Sequence, residues 1–331
     1  MCIIFTPVWF ATTPHVIQPQ KKSHKANNPM FSVTLEVAAD TGIHLGDGSL
    51  LIGRGSYVGT YRYELTGNAI EDQIYLIGHA APLIASAYGI TNPTFYVNPG
   101  LTWMSVRYHN KTLVLFKHEQ LGLPNGKKTY AFIPEVIRAN TKLMRPLARE
   151  ILATDGVLGF YNASSNHPHR YGRIQIRMTA RKVIEGLGQF LRDELGMSVS
   201  CRLDKEGFGG PNARPQHILQ INRSEDIELW KKEIGFSNPS HISRFMVFQK
   251  NGECPPKTSI VNRLLFLTGC SSRLDELGTI PADAMTSILN VMKRNFGSPT
   301  AEGRTIVDQI VKINCRLNTS LHRALPKIVG V

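Results

Sequence analysis

From Val33 onward the chain switches repeatedly between a helical and a strand-like spacing of apolar residues. Val33 to Asp47 carries the helical spacing, and Ser49 to Ile52 is a short apolar run of strand length. A Gly53-Arg54-Gly55 turn follows. From Tyr57 to Thr66 polarity alternates, with Thr60, Arg62, Glu64 and Thr66 on one face and Tyr61, Tyr63 and Leu65 on the other. Glu71 to Tyr88 predicts a helix stopped by Gly89 and kinked or broken at Pro82. Thr94 to Asn98 and Thr102 to His109 predict a hairpin whose second strand puts Trp103, Ser105 and Arg107 on one face. The unit reads helix, two strands, helix, two strands, helix.

The same order then recurs. Leu147 to Thr154 is helical, and Val157 to Asn162 is a strand followed by a loop holding His167, His169 and Arg170. Alternation is strictest in Arg173 to Thr179. Ile174, Ile176 and Met178 are placed to pack inward, while Arg173, Gln175, Arg177 and Thr179 point outward together. Arg and Gln spaced along a strand offer paired donors to base edges in a major groove, although an ordinary solvated sheet face also alternates. Arg181 to Leu195 predicts the matching helix, ended by Gly196. Val199 to Lys205 and Gln216 to Ile221 complete the second sheet with Arg202 and Gln220 outward, and Ser224 N-caps the next helix. After Pro255-Pro256 the pattern changes to helical runs at Val261 to Leu267, Pro281 to Phe296 and Thr300 to Leu321. Their basic residues suit a DNA clamp, and a stabilising cap fits equally well.

Each unit has the same junction, in which a helix-like run stops at Asp-Gly and passes directly into a strand: Asp47-Gly48 and Asp155-Gly156. Two copies at a domain-sized interval indicate internal duplication. Gly is expected to end the helix because it tolerates the left-handed conformation there. An aspartate beside free helix C-terminal carbonyls is poorly placed as a bare anion. It is well placed beside a divalent cation, which prefers carboxylate and carbonyl oxygens. One Asp-Gly is an everyday turn signal. Two in the same context, side by side, give the layout for phosphodiester cleavage with metal ions.

Charge points the same way. Lys and Arg total 38 against 25 Asp and Glu, giving a net charge of +13 and a pI near 9.6. Such an excess predicts a polyanionic partner, nucleic acid before membrane surface. Hydrophobic residues make up 42%, enough for real cores, and no run reaches the ~18 apolar residues of a membrane span. Cys2, Cys201, Cys254, Cys270 and Cys315 include no Cys-x-x-Cys pair. This pattern predicts neither a zinc site nor a disulfide framework, and an intracellular location, cytoplasmic with the nucleoid or organellar, rather than secretion.

Gly42-Ile43-His44-Leu45-Gly46-Asp47-Gly48 and Leu147-Ala148-Arg149-Glu150-Ile151-Leu152-Ala153-Thr154-Asp155-Gly156 resemble the motif of LAGLIDADG homing endonucleases in their single-chain, two-motif form. The resemblance spans residues 33–250 and includes Leu121-Gly122-Leu123-Pro124-Asn125-Gly126-Lys127-Lys128, Ile133-Pro134 and Ile234-Gly235-Phe236-Ser237. The sequence departs from the motif in several places. Leu45 and Ala153 replace its acidic sixth letter. Gly42 and Gly46 keep the small residues at the helix contact, but Glu150 and Thr154 occupy those places in the second copy, where Glu150 is expected to weaken close packing.

The resemblance implies an α+β fold of two pseudo-symmetric αββαββα halves with antiparallel, saddle-shaped sheets. The divisions would be a flexible basic arm at 1–29, halves at 30–140 and 141–255, and a helical extension at 256–331. It implies a site-specific double-strand DNA endonuclease acting as a monomer on a long pseudo-asymmetric target. Asp47 and Asp155, with the carbonyls of Gly46 and Thr154, would hold Mg²⁺, with Mn²⁺ or Ca²⁺ as substitutes. Asn68 and Arg181, just after the second strand of each half, are the candidates to organise water. The DNA-facing set is Arg54, Thr60, Arg62, Glu64, Trp103, Ser105, Arg107, Lys127, Lys128, Tyr161, His169, Arg170, Arg173, Gln175, Arg177, Thr179, Arg202 and Gln220. An intron RNA maturase and an inactive DNA-binding regulator share this fold and charge. The two retained aspartates favour the nuclease, because a pure binder gains nothing from two anions facing phosphates. His-Glu-x-x-His and Gly-Lys-Ser/Thr signatures are absent from the sequence.

Overall fold

The computed structural model describes residues 31–53, 58–69, 71–98, 102–161, 171–204, 214–256 and 258–268. The predicted arm at 1–29, Arg54, the His167–Arg170 loop and the helical runs beyond 268 lie outside them.

The first half runs α1 (Leu35–Leu45), β1 (Gly48–Ile52), β2 (Tyr61–Asn68), α2 (Gln73–Tyr75), a π-turn (Leu76–Ala80), α3 (Ala81–Tyr88), β3 (Thr94–Val97), β4 (Trp103–Tyr108), α4 (Lys111–Leu115), a second π-turn (Phe116–Gln120) and α5 (Glu135–Arg138). The second runs α6 (Thr141–Asp155), β5 (Gly156–Tyr161), β6 (Tyr171–Met178), α7 (Arg181–Asp193), β7 (Ser200–Asp204), β8 (Gln216–Ile221), α8 (Ser224–Glu233) and α9 (Pro239–Asn251), with α10 (Ile260–Thr268) beyond. The strand orders are β1-β2-β4-β3 and β5-β6-β8-β7, antiparallel throughout. The fold is therefore α+β with two sheets of identical topology, as the repeated pattern predicts.

Alternation becomes burial as expected. Tyr63 and Leu65 of β2, and Ile174, Ile176 and Met178 of β6, enter one apolar cluster shared by both halves. Burying each such side chain contributes about 1.5–3 kcal/mol. Gly89 and Gly196 both stop their helical segments at φ +67°, a backbone region that glycine enters without strain.

Four local expectations are corrected. The second strand is Tyr61–Asn68, displaced toward the C-terminus. Pro82 does not break its helix, because the wide π-turn Leu76–Ala80 immediately ahead spares the ring the usual clash with the preceding turn. Ser224 is the first residue of α8 rather than its cap; Arg223 takes the cap position without a side-chain bond, and Asp226 instead accepts from the Ser198 N–H at 3.2 Å.

The fourth correction concerns α1 and α6, which pack along their length. A Cβ on Gly42 would overlap the Leu147 carbonyl, and one on Gly46 would overlap Thr154 Oγ1. The glycines of α1 thus make room for the larger residues of α6. Glu150 does not loosen the contact. It is fully buried and accepts from Tyr75 Oη and Ser237 Oγ, each at 2.8 Å, with Arg149 Nε at 2.8 Å and His79 Nε2 at 3.0 Å. Burial pushes its carboxyl up, but His79 and Arg149 outweigh this and hold it at about 2.

Candidate active site and nucleic-acid interface

Both motif helices end at the aspartates, but not through the expected left-handed glycine: Gly156 is extended at φ −110° and Gly48 already opens β1, so the chain passes straight into each strand. Thr34 caps the start of α1 by accepting from the Val37 N–H, and Asn140 caps α6 through the Lys142 N–H. Asp47 follows the Gly46 cap, while Asp155 is the last residue of α6. Both carboxylates are half-buried. Burial raises the Asp47 carboxyl well above the usual range, and the charges of Asp155 and then Asp72 add to it. Burial also raises Asp155. Lys128 opposes both shifts. Its Nζ caps the end of α1, donating to the Gly46 carbonyl and to the His44 carbonyl at 3.3 Å. Burial lowers the Lys128 pKa, and the two aspartates pull it back up.

Two carboxylates that burial makes reluctant to ionise, each next in sequence to a helix-end carbonyl, Gly46 or Thr154, form an all-oxygen donor set that an added hard cation would stabilise. These residues fit a divalent metal. Lys128 already places one positive charge at the Gly46 carbonyl, so that expected ligand is shared. Among the described residues, no group of three His, Cys, Asp or Glu side chains forms a metal cluster by itself.

Two participants were missed in the sequence. Lys128 stands in the sequence only as a DNA contact, and Asp72 is not singled out there at all. Asp72 packs against Gly67, where a Cβ would meet its own Cβ at 2.9 Å, and accepts the Asn68 N–H at 2.8 Å. It also takes a side-chain hydrogen bond from Asn238, which in turn donates to the Ala153 carbonyl at 2.8 Å. Asn68 is exposed at the end of β2, and its Oδ1 accepts the Glu71 N–H at 3.0 Å. Arg181 opens α7 facing solvent and pairs with Glu185 at 2.7 Å. A cleft of about 440 Å³ beside the end of α6 is lined by Asp72, Thr154, Asn238, His241 and Arg244 among others.

The outer sheet faces hold most of the expected DNA-facing set. On the first sheet, Glu64 grips Arg107 at 2.6 Å and Arg62 at 3.0 Å. Tyr96 and Trp103 lie 5.2 Å apart, with Arg107 over Tyr96. Thr60 is half-buried. On the second sheet, Arg173 donates to Asn222 at 2.9 Å and lies over the Tyr161 ring. Gln175 bonds Gln220 at 3.1 Å, and Arg177 bonds Gln175 and Asp204. Gln220 continues to Asn222 at 2.7 Å. Thr179 is half-buried, and Arg202 and Lys127 are exposed. Two residues differ from the expected exposure. Ser105 is fully buried, in register between Thr66 and Tyr96 with bulky Trp103 and Arg107 along its own strand. Gln175 is 6% exposed, enclosed by Arg177 and Gln220. Arg54, His169 and Arg170 are outside the described residues.

No family model matches the chain, and no curated protein matches it. Solved structures similar to it include LAGLIDADG homing endonucleases. I-DmoI in complex with DNA and Ca is 17% identical over 60% of this chain and 88% of that one, with a TM-score of 0.41. A double mutant of I-SmaMI is 12% identical over 79% of this chain and 99% of that one, at 0.40. The N-terminal LAGLIDADG domain of DUF199/WhiA is 10% identical over 62% and 83%, at 0.37.

Proposed function

We propose that the protein is a site-specific double-strand DNA endonuclease dependent on divalent metal ions, with one centre per half. The observation that carries this reading is the meeting of Asp47 and Asp155 at the ends of two packed helices, half-buried, with the charge of Lys128 acting on both. A pure binding surface has no use for two half-buried anions where it meets phosphates, since that placement costs affinity.

Asp47 with the Gly46 carbonyl, and Asp155 with the Thr154 carbonyl, would hold Mg²⁺, with Mn²⁺ or Ca²⁺ as substitutes. Such ions supply charge neutralisation at the phosphate and lower the pKa of attacking water. Asn68, the last residue of β2, and Arg181, the first residue of α7, would orient water. Lys128 offsets negative charge between the centres. Arg62, Arg107, Arg173 and Arg177 exchange their internal partners for base edges or phosphates of a long, pseudo-asymmetric duplex, which the chain binds as a monomer. The protein acts in the cytoplasm at the nucleoid, or in an organelle.

Incubation with Mg²⁺ and a randomised duplex library, followed by sequencing of cut ends, tests this. The expected result is one long enriched motif broken on both strands and no cutting in a chelator. Breaks without enrichment, breaks that persist in chelator, or intact DNA beside tight binding to structured RNA would each sink it.

A further inference from the structure

The outer faces of the two sheets differ in chemistry at equivalent places. In β4, Met104, Val106 and Tyr108 enter the core, which leaves Trp103, Ser105 and Arg107 on the outer face. Tyr96 of β3 stands in register with Ser105 and shares that face. Trp103 and Tyr96 remain open there, 37% and 39% exposed, with ring centroids 5.2 Å apart. Arg107 lies over the Tyr96 ring at 4.8 Å and is itself held by Glu64 at 2.6 Å, so the aromatic pair is fixed from one side.

The register gives the counterparts in the other half. Leu65 pairs with Val106 where Ile176 pairs with Leu219, so Trp103 corresponds to Gln216 and Tyr96 to Arg202. An aromatic pair in one sheet stands where the other has an amide and a guanidinium. The exposed aromatics of the second sheet, Tyr161 and Tyr171, pair across β5 and β6 instead, and the Tyr161 ring lies over Gly159, where a Cβ would meet it at 2.8 Å. The apolar surface of the two faces therefore falls at non-equivalent places.

An apolar patch on a duplex-binding face is matched by an apolar feature of the duplex. In the major groove the base edges present nitrogen and oxygen donors and acceptors, and the C5-methyl of thymine is the apolar group among them. Gln216 and Arg202 offer hydrogen bonds to purine edges, whereas the ring faces of Trp103 and Tyr96 offer apolar contact. We propose that Trp103 and Tyr96 are specificity-determining residues that read thymine through its C5-methyl in the half-site under the first sheet, so that the two half-sites are recognised by different chemistry. This rests on the reading of the protein as a site-specific DNA endonuclease whose sheets bind the duplex. Burying one methyl changes affinity by about 4-fold.

The test begins with the full chain and a randomised duplex library in chelator, selecting for binding alone. Each thymine of the selected duplex is then replaced in turn by deoxyuridine, which removes only the methyl. Affinity is measured for the wild type and for Trp103→Gln and Tyr96→Arg, which copy the second sheet. At one or more thymines the wild type should bind the deoxyuridine duplex about 4-fold more weakly, and Trp103→Gln should bind both duplexes alike. Those thymines should lie in the half-site opposite to the one whose base preference shifts in Arg177→Ala. The wild-type comparison needs no change in the protein, so a variant that fails to fold leaves the proposal testable. No loss at any thymine overturns it, as does a loss that both variants retain, or one confined to the Arg177 half-site. Weaker binding by Trp103→Gln that tracks a lower melting temperature, with the methyl dependence unchanged, would reduce the pair to a cover over Ser105 and overturn it too. A library that yields no preferred site refutes the DNA reading and this proposal with it. A preferred site that stays uncut in Mg²⁺ refutes the cleavage step alone, and the methyl dependence still decides the proposal.

Discussion

The two motif helices occupy equivalent places and end alike, yet they are supported by different chemistry. Along α1 the contact residues are small, and the buried charge is Asp40, paired with Lys117 and accepting Tyr63 Oη at 2.7 Å and Tyr88 Oη at 2.6 Å. Along α6 the contact residues are larger, and the buried charge is Glu150, which reaches across to Tyr75 and His79 of the first half. Asp40 thus ties α1 to its own half, while Glu150 ties α6 to the other. Pseudo-symmetry of the backbone does not require symmetry of the interactions that hold it; each copy needs only a satisfied interior.

The largest expected effect strikes the α1 side. Lys117→Met leaves Asp40 buried without its counter-charge and should cost about 3–5 kcal/mol in denaturant unfolding. Glu150→Gln keeps part of its hydrogen bonding and should cost less, about 1–3 kcal/mol. Glu150 also carries a pH signature. Its folded pKa is depressed to about 2, so its contribution is full above the ordinary carboxylate value and is lost as pH falls toward 2. Glu150→Gln should flatten that part of the acid-unfolding curve, and an unchanged curve would remove Glu150 from the interface.

At the helix contact, Gly46→Ala drives a methyl into Thr154 Oγ1 and should cost about 1–3 kcal/mol. Thr154→Ala in the same chain should recover part of that cost. Additive losses in the double variant would show that the two positions do not touch.

The repeat, the strand faces and the position of the two aspartates at helix ends were legible because each rests on a local pattern. Ile174 and Ile176, for example, had to turn inward if Arg173 and Arg177 turned out. Lys128 and Asp72 were not legible, since what gives them a role is proximity across the fold. The burial of Gln175 and Ser105 was hidden for a related reason. Alternation assigns a face, but the neighbours in register decide whether that face is open. The fate of Glu150 depended on Tyr75, His79 and Ser237, none of them near it in sequence.

The effect expected on the sheet falls on base preference rather than on stability. Arg177→Ala loses its ties to Gln175 and Asp204 and should relax base preference only at neighbouring steps, costing about 1–3 kcal/mol of discrimination there. Uniform weakening across all target variants would mean that Arg177 holds the phosphate backbone instead.

The central claim is that the two helix ends form two separate cleavage centres, and strand-resolved cutting by Asp47→Asn and Asp155→Asn tests it most directly. Each variant should bind the target as the wild type does, lose double-strand cutting, and leave intact the strand opposite to the one spared by the other variant. Full double-strand cleavage by either variant, or loss of the same strand in both, would contradict the account.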